Sequence, residues 1–122
     1  MTKTLTLSLF LLTIFNYAAF SQLKEAEVRS LLCHKWNVVT LEAQGEKVQV
    51  PPGADLSITF LSDGTFIDSQ EKNKKGKWAY SHSTMTITMR GGPKKILAID
   101  AKVLKLQAVN GDQDIVTFKR ED

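Results

Sequence analysis

Asp55-Leu56-Ser57-Ile58-Thr59-Phe60-Leu61-Ser62-Asp63-Gly64-Thr65-Phe66-Ile67-Asp68 is the stretch whose pattern decides the fold. Leu56, Ile58 and Phe60 alternate with Ser57 and Thr59, and beyond the corner Phe66 and Asp68 share one parity across Ile67. Successive side chains of a strand point to opposite faces, so a period of two describes a strand with one dry face. Ser62-Asp63-Gly64 supplies the positive-φ residue that turns one strand back beside the next. The segment predicts a β-hairpin with an apolar inner face.

The same texture extends outward. Met85, Ile87 and Met89 alternate with Thr84, Thr86 and Thr88; Leu104, Leu106 and Ala108 alternate with Val103, Lys105 and Gln107; Val116 and Phe118 flank Thr117; Trp78 and Tyr80 flank Ala79. The apolar members of these sets are the predicted core. Gln44-Gly45, Pro51-Pro52-Gly53, Asn73-Lys74-Lys75-Gly76, Gly91-Gly92-Pro93 and Asn110-Gly111-Asp112 provide further corners. Strands are predicted at about 35–43, 46–50, 55–61, 65–71, 76–82, 84–90, 95–100, 102–109 and 113–120. Parallel pairs need crossovers of about a dozen residues or more, and no gap after Trp36 holds one. The reading is therefore all-β: an antiparallel up-and-down meander of eight or nine strands that closes into a barrel, with an open sandwich as the alternative. Leu23 to Leu32 combines helix formers with apolar Leu23, Ala26, Leu31 and Leu32, and predicts a short preceding helix.

Residues 1–21 differ in kind. Lys3 precedes an apolar run from Leu5 to Phe15, and no charge follows until Lys24. That is the layout of a signal peptide, with cleavage after Ser21 or after Ala19. Thr4, Thr6, Ser8, Thr13 and Asn16 interrupt the run, which falls short of the roughly 20 apolar residues of a membrane span. The expected domains are thus a signal peptide over 1–21 and a barrel over 22–122. Export to the periplasm or the exterior is expected, with no transmembrane segment after signal removal.

Loss of Lys3 leaves 15 of the 16 basic side chains against 13 acidic ones, a balance of +2 that singles out no partner. Lys72, Lys74, Lys75 and Lys77, then Arg90, Lys94 and Lys95, gather beside turn residues, where solvated loops explain them without nucleic acid. The single cysteine, Cys33, has no internal disulfide partner and is expected to be a buried thiol. A monomer is expected.

The order Leu32-Cys33-His34-Lys35-Trp36, Ile58-Thr59-Phe60, Asp63-Gly64-Thr65-Phe66, Gly76-Lys77-Trp78 and Met85-Thr86-Ile87-Thr88-Met89 resembles the small lipocalin-like domains of exported bacterial proteins. The likeness spans nearly all of residues 31–119. It implies a meander barrel whose first strand carries a tryptophan packed at the closed end, here Trp36, often covered by a basic side chain from the last strand, here Arg120. The alternative is an ordinary core tryptophan and a solvated terminal arginine. Where the lipocalin pattern has glycine two residues before the tryptophan, this chain has His34.

Catalytic chemistry finds little support. The chain has two histidines, His34 and His82, and Cys33 beside His34 does not form a dyad if both lie on a strand. No spacing of Cys or His resembles a zinc site, Asp68 is the one acid of inner parity, and the glycines fall at hairpin corners rather than in a phosphate cradle. No enzyme activity, cofactor or metal is expected. An eight-stranded barrel is just wide enough either to be filled by its own side chains or to hold one small ligand. The leading expectation is binding of a small hydrophobic molecule in or at the mouth of the barrel, lined by Phe60, Phe66, Asp68, Trp78, Tyr80, Met85, Ile87, Met89 and Phe118. The alternative is a solid-core interaction module that recognises another envelope protein through loops 44–54, 69–77 and 90–95.

Overall fold

A computed structural model describes residues 23–72 and 74–121. The signal peptide expected over 1–21 lies outside the described residues. Helix α1, Glu25–Leu32, buries Val28 and Leu32, one turn apart, and leaves its other face in water. The Lys24 N–H donates to Glu27 Oε1 at 3.2 Å where the helix begins. Glu25 and Glu27 lie in the first turn, where the helix dipole favours negative charge.

Ten strands follow among the described residues: β1 Lys35–Ala43, β2 Glu46–Gln49, β3 Ser57–Phe60, β4 Thr65–Asp68, β5 Lys74–Lys77, β6 Ala79–Ser81, β7 Thr86–Met89, β8 Gly92–Ile99, β9 Val103–Ala108 and β10 Ile115–Arg120. All pair antiparallel in one sheet, ordered β5-β4-β3-β1-β10-β9-β8-β7-β6, with β2 beside β1. Two of these strands are halves of longer ones. β2 and β3 lie along the same side of β1, where Thr40 faces Gln49 and Asn37 faces Ser57, and the loop containing Pro51, Pro52 and Gly53 bulges out between them. β5 and β6, the two ends of the sheet, are one segment joined through Trp78, which pairs first with β4 and then with β7. That continuity curls the sheet into a nearly closed barrel and overturns the open-sandwich alternative.

The predicted strand over 76–82 is thus split at Trp78 and starts earlier, because the segment changes partner there. The strand expected over 65–71 ends at Asp68, whose Oδ1 accepts the Gln70 N–H at 2.9 Å and starts a 3₁₀ turn, Ser69–Glu71. The strand expected over 84–90 begins at Thr86, since Met85 sits in the preceding turn with φ 51°. The helix begins at Glu25, leaving Leu23 before it.

Irregularities in β1, between Val38 and Thr40, and in β8, between Ile96 and Ala98, break simple alternation. After the first, Leu41 rather than Thr40 returns to the inner side, opposite Val116. The core is concentrated at the helix-covered end, where Val28 and Leu32 meet Trp36, Phe60, Phe66, Trp78, Tyr80 and Ile87, all buried. The Trp36 indole N–H donates to the Leu32 carbonyl at 3.0 Å and that of Trp78 to the Leu61 carbonyl at 3.0 Å, so neither buried ring carries an unpaired donor. Phe60 and Trp78 meet edge to face, with ring centroids 5.4 Å apart.

Candidate functional site at the open end of the barrel

The interior is divided. The end under α1 is filled, whereas the opposite end holds a mostly apolar cavity of about 280 Å³ that opens to solvent. β1 contributes Val38 and Leu41 to its wall, the segment entering β3 contributes Leu56, Ser57 and Ile58, and β9 contributes Leu106 and Ala108. Met89 of β7, and Val116 and Phe118 of β10, complete the apolar surface. Polar groups gather at the rim: Asp68, Gln70, Lys94 and Asp114. An apolar chamber with a few polar groups at its mouth has the form of a small-ligand site, and its volume falls just below the ~300–1,000 Å³ usual for such pockets.

Of the residues the sequence pointed to, Asp68, Met89 and Phe118 line this cavity. Phe60, Phe66, Trp78, Tyr80 and Ile87 do not; they face inward, as their parity requires, but pack against the helix end. Parity gives the face of a strand and not the height along the barrel, so it merges two layers that the structure separates. Met85 lies in the turn after β6, with its Sδ 3.0 Å from the Tyr80 hydroxyl, which also sits 2.8 Å from His82 Nδ1. Burial, and to a lesser degree Glu25, raise the Tyr80 pKa above its ordinary value.

The sequence reading passed over Val38, Leu41, Ser57, Lys94 and Asp114 as liners. An apolar Leu41 out of step with Trp36 and Val38 was the available sign of the β1 irregularity. Lys94 lies not in the solvated loop expected from its neighbouring glycines but in β8, between Ile87 and Ala108, and is half-buried.

At the closed end, Trp36 of β1 lies directly across from Arg120 of β10. Arg120 Nη1 is 3.3 Å from His34 Nε2, so the last strand's arginine meets the histidine that precedes β1. The Arg29 guanidinium of α1 sits 5.9 Å from the Trp78 ring and 5.7 Å from that of Tyr80, and donates to the Tyr80 carbonyl at 3.3 Å. Cys33, expected to be buried, is half-buried just after α1, and burial there raises its thiol pKa against the opposing effect of Arg29. Cys33 and His34 precede β1, so strand alternation does not govern their directions.

A second hollow, about 420 Å³, lies against the outer side of β1 under the loop from Val50 to Asp55, next to the Lys35–Glu121 ion pair at 2.9 Å. Although larger, it is lined as much by polar as by apolar surface, whereas the wall of the barrel-end cavity is mostly apolar. Among the described residues, no three His, Cys, Asp or Glu side chains are placed to hold a metal ion, and no helix is long and apolar enough to cross a membrane.

A nearly closed antiparallel meander barrel preceded by a short helix is the lipocalin-like fold. The chain is similar in structure to a lipocalin-like protein from Bacteroides uniformis ATCC 8492, with a TM-score of 0.56 and 14% identity over 75% of this chain and 99% of that one. At that identity the likeness is one of fold. No protein-family model matches the chain, and no curated protein does.

Proposed function

We propose that this is an exported, non-catalytic binding protein that holds a small hydrophobic molecule in the open end of its barrel. The observation that carries the reading is the unfilled apolar cavity itself. Buried side chains pack the helix end of the same barrel, yet Val38, Leu56, Ile58, Met89, Leu106, Ala108 and Val116 leave about 280 Å³ between them. An apolar hollow at the mouth of a barrel exposes hydrocarbon surface to water, and a small apolar guest would cover that surface. Export rests on the sequence of residues 1–21, and the signal-plus-barrel division is retained on that ground.

The liners proposed on this structure are Val38, Leu41, Leu56, Ile58, Asp68, Met89, Lys94, Ala108, Val116 and Phe118. Titration of the mature protein with small apolar compounds, followed by methyl NMR, tests the site. A guest should shift the Leu56, Ile58, Met89 and Val116 methyls and leave Val28, Leu32 and Ile87 at the packed end in place. Ala108→Phe, which fills the cavity, should abolish those shifts. Shifts that survive Ala108→Phe, or that concentrate at the helix end, would refute the assignment. The two tryptophans lie in the packed end, so their fluorescence is a poor reporter of this site.

A further inference from the structure

We infer that the guest carries a single negative charge and that Lys94 is the group that receives it; the inference rests on the reading of the cavity as a binding site. Among the described residues the polar rim contains one cation and two carboxylates, and their surroundings differ. Asp68 is engaged, since its Oδ1 accepts the Gln70 N–H at 2.9 Å and holds the turn after β4. Asp114 is exposed at the rim, in water, and its backbone carbonyl accepts the Ala108 N–H at 2.9 Å.

Lys94 is the exception. Its position on β8, opposite Ile87 on one side and Ala108 on the other, turns it to the inner face that continues to buried Ile96. Its side chain is half-buried against the cavity and makes no hydrogen bond or ion pair with the described residues. A long cationic side chain in this place can lay its hydrocarbon stem along the apolar wall and keep its ammonium in water at the mouth, where an anionic head would meet it. A carboxylate or similar monoanion at the end of an apolar body would satisfy it while the body fills the chamber. A second negative charge on the guest would meet Asp68 and Asp114, which selects a monoanion over a dianion. The cavity volume limits the body to a short chain or a single ring system.

Octanoate, 1-octanol and octylammonium share one apolar chain and differ in head charge, so calorimetric titration of the mature protein with the three isolates the head. Octanoate should bind tightest. Lys94→Met should weaken octanoate by about tenfold or more, the scale of a charge-assisted hydrogen bond, and change octanol by less than about twofold. Lys94→Arg should retain most of the octanoate affinity, and Lys94→Gln serves as the neutral variant if methionine perturbs folding. Equal binding of octanoate and octanol, tighter binding of octylammonium, or octanoate affinity unmoved by loss of the charge would overturn the inference and leave the cavity reading intact. No binding of any of the three to the folded protein would overturn both.

Discussion

Gly76 shows how a single missing side chain sets local structure. It lies on β5 directly opposite Phe66 of β4, and a Cβ at this position would fall inside the van der Waals envelope of the Phe66 ring. Its φ is not in the left-handed region, so the requirement is for space and not for backbone freedom. The ring lies over the bare backbone, which places Phe66 among the fully buried core residues. Gly76→Ala should therefore destabilise the fold by about 1–3 kcal/mol through overpacking. Urea unfolding measures this, and Phe66→Leu should remove most of the penalty in a double-mutant cycle. A cost unchanged in the leucine background would show that the ring is not the obstacle. In the sequence Gly76 reads only as a corner residue of the Lys-rich hairpin, because the pairing that brings Phe66 above it is a contact between separate strands.

At the scale of elements, α1 acts as the stopper of the barrel. Val28 and Leu32 enter the closed end, and Arg29 reaches the seam where β5 passes into β6 through Trp78. Arg29→Ala should cost about 0.5–1 kcal/mol for the half-exposed cation–π contacts, together with the hydrogen bond to the Tyr80 carbonyl. The expected signature is a lower unfolding midpoint with an unchanged denaturant slope, and a variant as stable as the parent would remove Arg29 from the docking of the helix. Most elements were legible in the sequence, since Thr and Ile or Leu alternation and Gly-bearing corners are local signals. The exceptions have one cause. The split at Trp78 and the irregularities in β1 and β8 arise where a strand changes partner or must bend to close the wall. Those constraints come from neighbours distant in sequence.

Across the whole molecule, the barrel has two unequal halves. The helix end joins buried aromatic and aliphatic side chains into one cluster, while the open end has a hollow and carries the loops. Local opening is easier where fewer apolar contacts must break. Amide exchange should therefore be slowest at Trp36, Phe60, Ile87 and Leu104, and faster around Val48, Met89, Lys94 and Ala108. A bound guest should slow the second group more than the first. Uniform exchange across both ends, or the reverse order, would contradict this division. The same asymmetry explains why the aromatic residues that looked suited to a ligand do not line the cavity: they are the material from which the sealed end is built.

By itself the amino-acid sequence determined the all-β class, the antiparallel meander, the short leading helix and the inward parity of most core residues, because each follows from patterns within a few residues along the chain. Tertiary structure alone decided the closure through Trp78, the covering of Trp78 by Arg29, the space left by Gly76 and the height at which each inward residue sits. It therefore decided which inward residues seal the barrel and which surround its cavity. The physical reason is that alternation specifies a side, whereas a cavity is defined by distance between strands, and only the closed wall sets that distance.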